Sequence, residues 1–228
     1  MKIGIGVVSY LRPKHLDLWR EQVLKYAPKD YELSIYIDEP RMGIAFGKNQ
    51  NLRDLKHCDY IFLMDSDCFP IKTGWAEFFI EASKAIGQQH FMYLKQTPTI
   101  RLISAHIKLD NCPDILNYNN CAGCMMFLTK EVIEKVGAYN PEYGYYAFEH
   151  AGYSNRIHKA GLTPLGAYTC PAGAGEYVYS LDLDNHLPFN KQVKHEPSMA
   201  KEIRNIPQYI EQNKQVYLRD TEIYIPLV

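Results

Sequence analysis

Three short stretches near the start of the chain, residues 2–9, 33–37 and 60–64, are apolar at every second position or throughout. This pattern is typical of β-strands. Between them, apolar residues recur at helical spacing from Leu16 to Tyr26, and a glycine-bearing segment leads into a second helical stretch. Strands and helices therefore alternate, and this order predicts a parallel, right-handed α/β half-domain.

The rest of the chain continues this alternation less regularly, without a low-complexity linker or an internal repeat. The predicted helices cover residues 73–86, 130–137 and 149–159, and the predicted strands cover 90–94, 124–128 and 176–183. Residues 96–120 are rich in turn-forming residues and predict irregular structure or small antiparallel strands. We expect one domain over residues 1–190, and a polar, partly helical extension over 191–228 that packs on it.

Polar residues follow the first three predicted strands. Ser9, Asp38 and the pair Asp65 and Asp67 stand at strand ends, and the carboxyl ends of parallel strands face one crevice. Asp65 and Asp67 are separated only by Ser66, so their charges repel unless a cation or hydrogen-bond donors compensate them. Mg²⁺ typically takes one or two carboxylates plus phosphate oxygens. The residues alone fit a metal–phosphate site and a turn in which one Asp caps the next helix equally well.

Composition narrows the classes of function. With 228 residues, 46% of them apolar, the chain is long enough for one substantial globular domain. The formal net charge of −1 argues against a nucleic-acid binder that works by neutralising phosphates. No stretch of 18 apolar residues occurs and the N-terminus lacks a signal-peptide cleavage site, so the sequence predicts neither a membrane span nor secretion. The six cysteines are accordingly expected to be reduced thiols of a cytoplasmic protein.

Three blocks of the sequence together resemble the GT-A-fold nucleotide-sugar glycosyltransferases, especially the family 2-like group. They read VVSYLRP, then GIAFGKNQNL followed by YIFLMDSDC, then CAGCMMFLTKEVIEKVGAYNPEYGYYAFEHAGYSNRIHKAG. The resemblance implies an α/β, Rossmann-like GT-A domain with a mostly parallel central sheet flanked by helices and a small antiparallel element on the acceptor side. It also implies metal-dependent transfer of a sugar from a nucleoside diphosphate, with UDP as the expected carrier, to a saccharide hydroxyl.

The resemblance assigns roles to individual residues. Those expected to contact the nucleotide-sugar donor are Ser9, Tyr10, Asp38, Lys48, Asp65, Ser66 and Gly123. Lys48 would compensate diphosphate charge, although a solvated helix lysine fits the sequence nearly as well. Asp67, with Asp65, would hold Mn²⁺ or Mg²⁺, which stabilises the charge of the departing diphosphate. A histidine supplies a third ligand in many of these enzymes; His195, in KHEPSM, is the preferred candidate and His186 the alternative.

The third block departs from the family at one functional position. Where the family has Glu-Asp, and the Asp acts as general base in inverting enzymes, this chain has Glu149 and His150. Histidine can serve as a base near neutral pH because its usual pKa is about 6.5, and Glu149 could take the proton instead. We expect inversion at the anomeric carbon, with the retaining outcome left open.

Aromatic residues before this pair suit a saccharide acceptor, because the apolar faces of a pyranose stack on aromatic rings. They are Tyr139, Tyr143, Tyr145, Tyr146 and Phe148. Some of them would instead pack in the core.

Two other functions stay open at this point. A sugar-phosphate nucleotidyltransferase shares the α/β half and the metal carboxylates, but SYLRPKHL is a poor match to the Gly-rich basic loop that it normally needs. A non-catalytic saccharide- or nucleotide-binding protein of the same fold would explain why His150 stands where the family has Asp.

Overall fold

The computed structural model describes residues 1–106, 112–184 and 206–227. Within these ranges the strands are β1 (Ile3–Ser9), β2 (Tyr31–Ile37), β3 (Tyr60–Asp65), β4 (Cys68–Pro70), β5 (His90–Met92), β6 (Leu102–His106), β7 (Ile115–Tyr118), β8 (Met125–Thr129), β9 (Thr169–Pro171) and β10 (Val178–Ser180). The helices are α1 (Pro13–Lys25), α2 (Ile44–Leu55), α3 (Trp75–Ile86), α4 (Lys130–Val136), α5 (Glu149–Lys159), α6 (Leu181–Asp184) and α7 (Ile206–Arg219).

The central sheet has the strand order β2-β1-β3-β8-β5. Strand β1 is parallel to both β2 and β3, whereas β8 is antiparallel to β3 and β5, so four of the five strands run in one direction. Beside it lie a three-stranded antiparallel sheet, β6-β7-β9, and the pair β4-β10. The predicted mostly parallel sheet is confirmed, and so are small antiparallel strands within residues 96–120.

The two central strands β1 and β3 are apolar because helices cover both of their faces. Gly6 of β1 faces α2, where an added Cβ would lie 2.8 Å from the Cβ of Asn51. On the opposite face Phe62 of β3 packs edge-on against Trp75 of α3, with ring centroids 4.6 Å apart. Strands that are buried on two faces have apolar residues at nearly every position. Their sequence therefore predicts them well.

The edge strand β2 turns its polar side inward. Leu33, Ile35 and Ile37 are exposed by 38%, 36% and 50%, whereas Ser34 is buried. The hydroxyl of Ser34 lies 2.6 Å from a carboxylate oxygen of Asp54 on α2 and donates to it. The alternation therefore predicts the strand correctly, but the face that packs on α2 is the polar one.

The predicted strand over residues 176–183 is wrong in its second half. Only Val178–Ser180 is extended, and Leu181–Asp184 forms the short helix α6. The Asp184 carboxylate accepts the backbone N–H of Ser180 at 2.6 Å, and the Ser180 hydroxyl accepts that of Leu183 at 3.4 Å. Such local side-chain bonds compete with a strand ladder and turn the chain.

The C-terminal segment packs on the α4–α5 side of the domain. Gly137 and Ile225 form a parallel bridge, with the Ala138 N–H donating to the Ile225 carbonyl at 2.8 Å. Arg156 of α5 is buried and donates to the carbonyls of Ala138 (2.6 Å) and Ile223 (3.4 Å). Helix α5 is thereby fixed between the sheet and the end of the chain.

His90 of β5 ties the sheet to α5. Its Nδ1 donates to the Phe127 carbonyl on β8 at 2.8 Å, and its Nε2 accepts from the Ser154 hydroxyl on α5 at 2.9 Å. Burial lowers the pKa of His90 to about 4, despite the opposing bond to Phe127. The folded protein therefore keeps this ring neutral under conditions in which the unfolded chain protonates it.

This difference predicts acid sensitivity. As pH falls from about 6.5 to about 4, the unfolded state binds a proton at His90 that the folded state does not, so stability should fall by up to about 3 kcal/mol. The free energy of unfolding, measured with urea at a series of pH values, should fall less steeply with decreasing pH for His90→Gln than for the wild type. Replacement of the exposed His106 by Gln controls for loss of a histidine as such. Equal slopes for wild type and His90→Gln would contradict the prediction.

Candidate active site

A cleft runs along the carboxyl ends of β1 and β3. One part, here called the β1 half, is lined by residues that include Val8, Tyr10, Asp38 and Ser66. The other part, the α5 half, is lined by residues that include Cys121, Gly123, Glu149 and His150. Asp65, Asp67, Tyr146 and Asp182 border both halves. The structure therefore brings together the residues predicted from the strand ends and those predicted from α5.

Asp67 is buried against a basic residue from the start of α1. The Arg12 guanidinium donates through Nη1 to Asp67 Oδ2 at 2.9 Å, and both side chains are 9% exposed. Burial and the negative charges of Asp182 and Asp65 raise the pKa of Asp67 to about 7, although Arg12 opposes the shift. The second oxygen, Oδ1, is buried and finds no hydrogen-bond partner in the described ranges.

Asp65 is paired with a lysine from α2. Lys48 Nζ lies 3.2 Å from Asp65 Oδ1 and donates to the Gly123 carbonyl at 2.8 Å. Lys48 is completely buried, so it is not a solvated helix lysine. A buried ammonium requires such partners, because an unpaired charge in the interior is strongly destabilising.

The paired carboxylates fit a hard divalent cation. Asp67 Oδ1 is buried and has no hydrogen bond within the described part of the chain, whereas Asp65 Oδ1 is buried beside the Lys48 ammonium. Asp182 borders the same space. Mg²⁺ and Mn²⁺ prefer oxygen ligands of this kind. His195 and His186, the candidates for a further ligand, lie outside the described residues.

The β1 half is formed by strand ends and two loops. Asp38 accepts the backbone N–H groups of Met42 (2.6 Å) and Gly43 (3.0 Å), which fixes the loop before α2. Ser9 is buried and its carbonyl accepts the N–H of Asp38, while its neighbour Tyr10 lines the cleft. Asp38 and Tyr10 thus border the predicted nucleotide region, and Ser9 supports it from beneath.

Glu149, which is buried, and the partly exposed His150 form an ion pair at the start of α5. His150 Nδ1 donates to Glu149 Oε1 at 2.8 Å. Burial disfavours a charged imidazole, yet the Glu149 carboxylate and Cys121 raise the pKa of His150 to about 10. Burial also acts to raise the pKa of Glu149, but the charge of His150, its hydrogen bond and the charge of Lys48 lower it overall. Near neutral pH the pair is therefore carboxylate and imidazolium.

Gly123 is required by His150. A Cβ at position 123 would lie 2.5 Å from His150 Nδ1, so no other residue fits without displacing the ring. The neighbour of Gly123 in the structure is the imidazole ring, and its expected contact with the nucleotide-sugar donor stays a prediction. The Gly123 carbonyl also accepts a hydrogen bond from Lys48. Gly123 therefore supports both the Lys48–Asp65 pair and the Glu149–His150 pair.

The predicted aromatic residues divide between core and cleft. Tyr139 is buried and stacks on Tyr153 of α5 with centroids 4.1 Å apart, and Tyr143 is also buried. Tyr145 lines the β1 half, Tyr146 both halves, and Phe148 the α5 half. The expectation that some would pack in the core is correct.

The backbone before α5 is held by the C-terminal helix. Ala147 and Phe148 have φ values of 76° and 69°, a left-handed conformation that non-glycine residues rarely adopt. Asn213 of α7 donates to the carbonyls of Tyr146 (2.7 Å) and Ala147 (2.9 Å) and accepts the Gly144 N–H (2.9 Å). These three bonds stabilise the turn from which Glu149 enters the cleft.

Several cleft residues were missed by sequence reasoning. Arg12, Asp182, Tyr168 and Tyr217 line the cleft, and Asn213 holds the turn before α5. Arg12 had a detectable signal, since it is a basic residue directly after the first strand. Asp182 had none, because the predicted strand over 176–183 obscured the helix that carries it. Tyr168 and Tyr217 reach the cleft only through tertiary packing.

Solved structures share this architecture. The catalytic domain of Drosophila β1,4-galactosyltransferase 7, in complex with xylobiose, is 15% identical with a TM-score of 0.50, over 89% of this chain and 78% of that one. The mannosyltransferase PcManGT from Pyrobaculum calidifontis, in complex with GDP-Man and Mn²⁺, is 12% identical with a TM-score of 0.53, over 75% and 55%. S. aureus TarS 1–349, in complex with UDP, is 12% identical with a TM-score of 0.51, over 70% and 56%.

These likenesses establish the fold. The chain has the GT-A fold of nucleotide-sugar glycosyltransferases, as the sequence blocks predicted. No protein-family model and no curated protein matches the sequence. Among the described residues, no helix combines the length and the apolar character that crossing a membrane needs. All six cysteines are free and buried.

The Glu149–His150 pair generates a test by NMR. His150 should stay protonated at about pH 7.5, because its carboxylate partner holds the charge. In Glu149→Gln the partner is lost while burial remains, so the pKa of His150 should fall by about two units or more. Long-range ¹H–¹⁵N spectra report the protonation state, and His150→Asn assigns the signal. A wild-type ring that titrates near its ordinary pKa would contradict this electrostatic account.

Proposed function

We propose that the protein is a metal-dependent glycosyltransferase that moves a sugar from a nucleoside diphosphate, with UDP as the donor nucleotide, to a saccharide hydroxyl with inversion. One observation carries the proposal: a single cleft of a GT-A fold joins the Asp65–Asp67 pair to the Glu149–His150 pair. The first pair suits a diphosphate and its cation. The second suits removal of a proton from an acceptor.

The donor would bind in the β1 half. Tyr10 and Asp38 border the space proposed for the base and ribose, and Ser66 lines the path towards the diphosphate. Asp67 and Asp65 would hold Mn²⁺ or Mg²⁺, which acts when bound as a Lewis acid on the departing diphosphate. Lys48 keeps Asp65 in place and adds positive charge beside the phosphates.

We assign the general base to Glu149 and the role of its charge partner to His150. The Glu149 Oε1 atom is occupied by His150, whereas Oε2 is buried and has no hydrogen-bond partner within the described ranges. His150 already carries a proton near neutral pH, so it cannot accept another. Glu149 Oε2 would take the proton of the acceptor hydroxyl while the new C–O bond forms and the nucleoside diphosphate leaves.

The acceptor would lie in the α5 half, against aromatic side chains. Phe148, Tyr168 and Tyr217 line this half, and the rings of Phe148 and Tyr217 are 5.4 Å apart. Aromatic faces pack against the C–H faces of sugars. A base on the acceptor side supports single displacement with inversion, since a retaining enzyme does not need one there.

Donor binding tests the metal role. Isothermal titration of UDP with Mn²⁺ should show binding to wild type that falls by about 10- to 100-fold in Asp67→Ala, since a charge-assisted contact contributes about 1.5–3 kcal/mol. Asp17→Ala, on the exposed face of α1, is the matched control. Asp67→Ala also leaves Arg12 unpaired. Asp67→Asn is therefore measured as well, because its side chain is closer in shape to that of Asp67. Equal binding by wild type and both Asp67 variants would remove the metal role.

Turnover tests the base and the non-catalytic alternative. With a panel of nucleotide sugars and saccharides, wild type should turn over, and Glu149→Gln should lower kcat by about 10²- to 10⁴-fold with UDP affinity unchanged. Glu131→Gln, on the surface of α4, is the control. No transfer by folded wild type across the panel would favour a binding protein. Pyrophosphate release from a nucleoside triphosphate and a sugar phosphate would instead identify a nucleotidyltransferase.

A further inference from the structure

Arg12 occupies the carboxylate that the proposed function gives to the metal. Its guanidinium donates to Asp67 Oδ2 at 2.9 Å, and the residue is 8% exposed. A further donor atom, Nε, is buried and meets no acceptor in the part of the chain that the structure describes. Arg12 is therefore held by one carboxylate, with hydrogen-bonding capacity left over.

A divalent cation on Asp67 would change this arrangement. A guanidinium and a metal ion on one carboxylate repel each other, and the repulsion is strong where water is largely excluded. Arg12 therefore competes with the cation for Asp67 as long as the cleft contains no added negative charge. A diphosphate supplies that charge, and arginine binds phosphate oxygens through parallel N–H bonds.

Lys48, in the neighbouring charge pair, differs from Arg12 in having two protein partners. Lys48 is completely buried, and its ammonium is held by both Asp65 and the Gly123 carbonyl. Arg12 instead lines the β1 half, the proposed donor site. Of the two cations, Arg12 is the one that can move to a new anion without losing a second protein partner.

We propose that Arg12 is an exchangeable counter-ion. It neutralises Asp67 in the free protein, and it passes to the donor diphosphate when the cation takes Asp67. Arg12 consequently weakens binding of the metal alone and strengthens binding of the metal with the nucleotide. The inference rests on the proposed function, and it makes metal and nucleotide binding mutually dependent, since such coupling is reciprocal.

The test measures binding, without turnover. Mn²⁺ affinity is measured by electron paramagnetic resonance of the free ion, with and without UDP, and UDP affinity by calorimetry at saturating Mn²⁺. In Arg12→Gln, Mn²⁺ alone should bind about tenfold tighter or more, while UDP with Mn²⁺ should bind about tenfold weaker or more. Opposite signs for the two ligands distinguish exchange from general damage to the site.

Two further variants control the interpretation. Arg20→Gln removes the same charge from the exposed face of α1, where Arg20 pairs only loosely with Asp17 at 3.6 Å, and should change neither affinity. Arg12→Lys keeps the charge and should keep weak binding of Mn²⁺ alone. Circular dichroism and thermal melting verify folding, and if Arg12→Gln does not fold, the comparison of Arg12→Lys with wild type is made instead. Tighter binding of Mn²⁺ alone by Arg12→Lys would then overturn the inference.

The outcomes separate this inference from the function on which it rests. Unchanged or weaker Mn²⁺ binding by folded Arg12→Gln overturns the exchange, whatever happens to UDP. If the wild type binds UDP and Mn²⁺, and Arg12→Gln changes both affinities in the same direction, the exchange is overturned. The proposed glycosyltransferase function is not affected by that result. If the proposed function is wrong, the wild-type protein binds no UDP with Mn²⁺ and transfers no sugar.

Discussion

Buried charge at the carboxyl end of β3 constrains the rest of the structure. A charge removed from water and left unpaired costs several kcal/mol, so buried Asp67 and buried Lys48 each need an opposite charge close by. Asp65 takes Lys48 from α2, and Asp67 takes Arg12 from the start of α1. Lys48 in turn binds the Gly123 carbonyl, just before β8. Through these contacts the ends of four elements are drawn to one point.

A third charge pair extends the same constraint to the other side of the cleft. Glu149 and His150 neutralise each other at the start of α5, and the His150 ring leaves room only for glycine at position 123. Gly123 therefore contacts one residue of the Lys48–Asp65 pair and one of the Glu149–His150 pair. The turn before α5 has left-handed residues, and Asn213 of the C-terminal helix holds it in place. The geometry of the proposed base thus depends on a residue more than 60 positions further along the chain.

The accuracy of sequence reasoning differed between elements for physical reasons. Strands β1 and β3 were predicted well, since burial on two faces requires apolar residues at nearly every position. Strand β2 was predicted as a strand, but its apolar side chains are the exposed ones, because α2 presents polar partners to Ser34. Residues 181–183 were predicted as strand and lie in helix α6, because a local carboxylate binds the turn. The order of the three blocks nevertheless sufficed to predict the GT-A fold.

The sequence by itself determined the alternation of strands and helices, and with it the edge of the sheet at which Asp38, Asp65 and Asp67 meet. That edge follows from chain direction alone, since parallel strands bring their carboxyl ends together. Only the tertiary structure decided which charges are paired. The partners Arg12 and Asp67 are 55 positions apart, and Lys48 and Gly123 are 75 apart. Periodicity describes near neighbours, whereas the energy of a buried charge depends on distance in space, which packing sets.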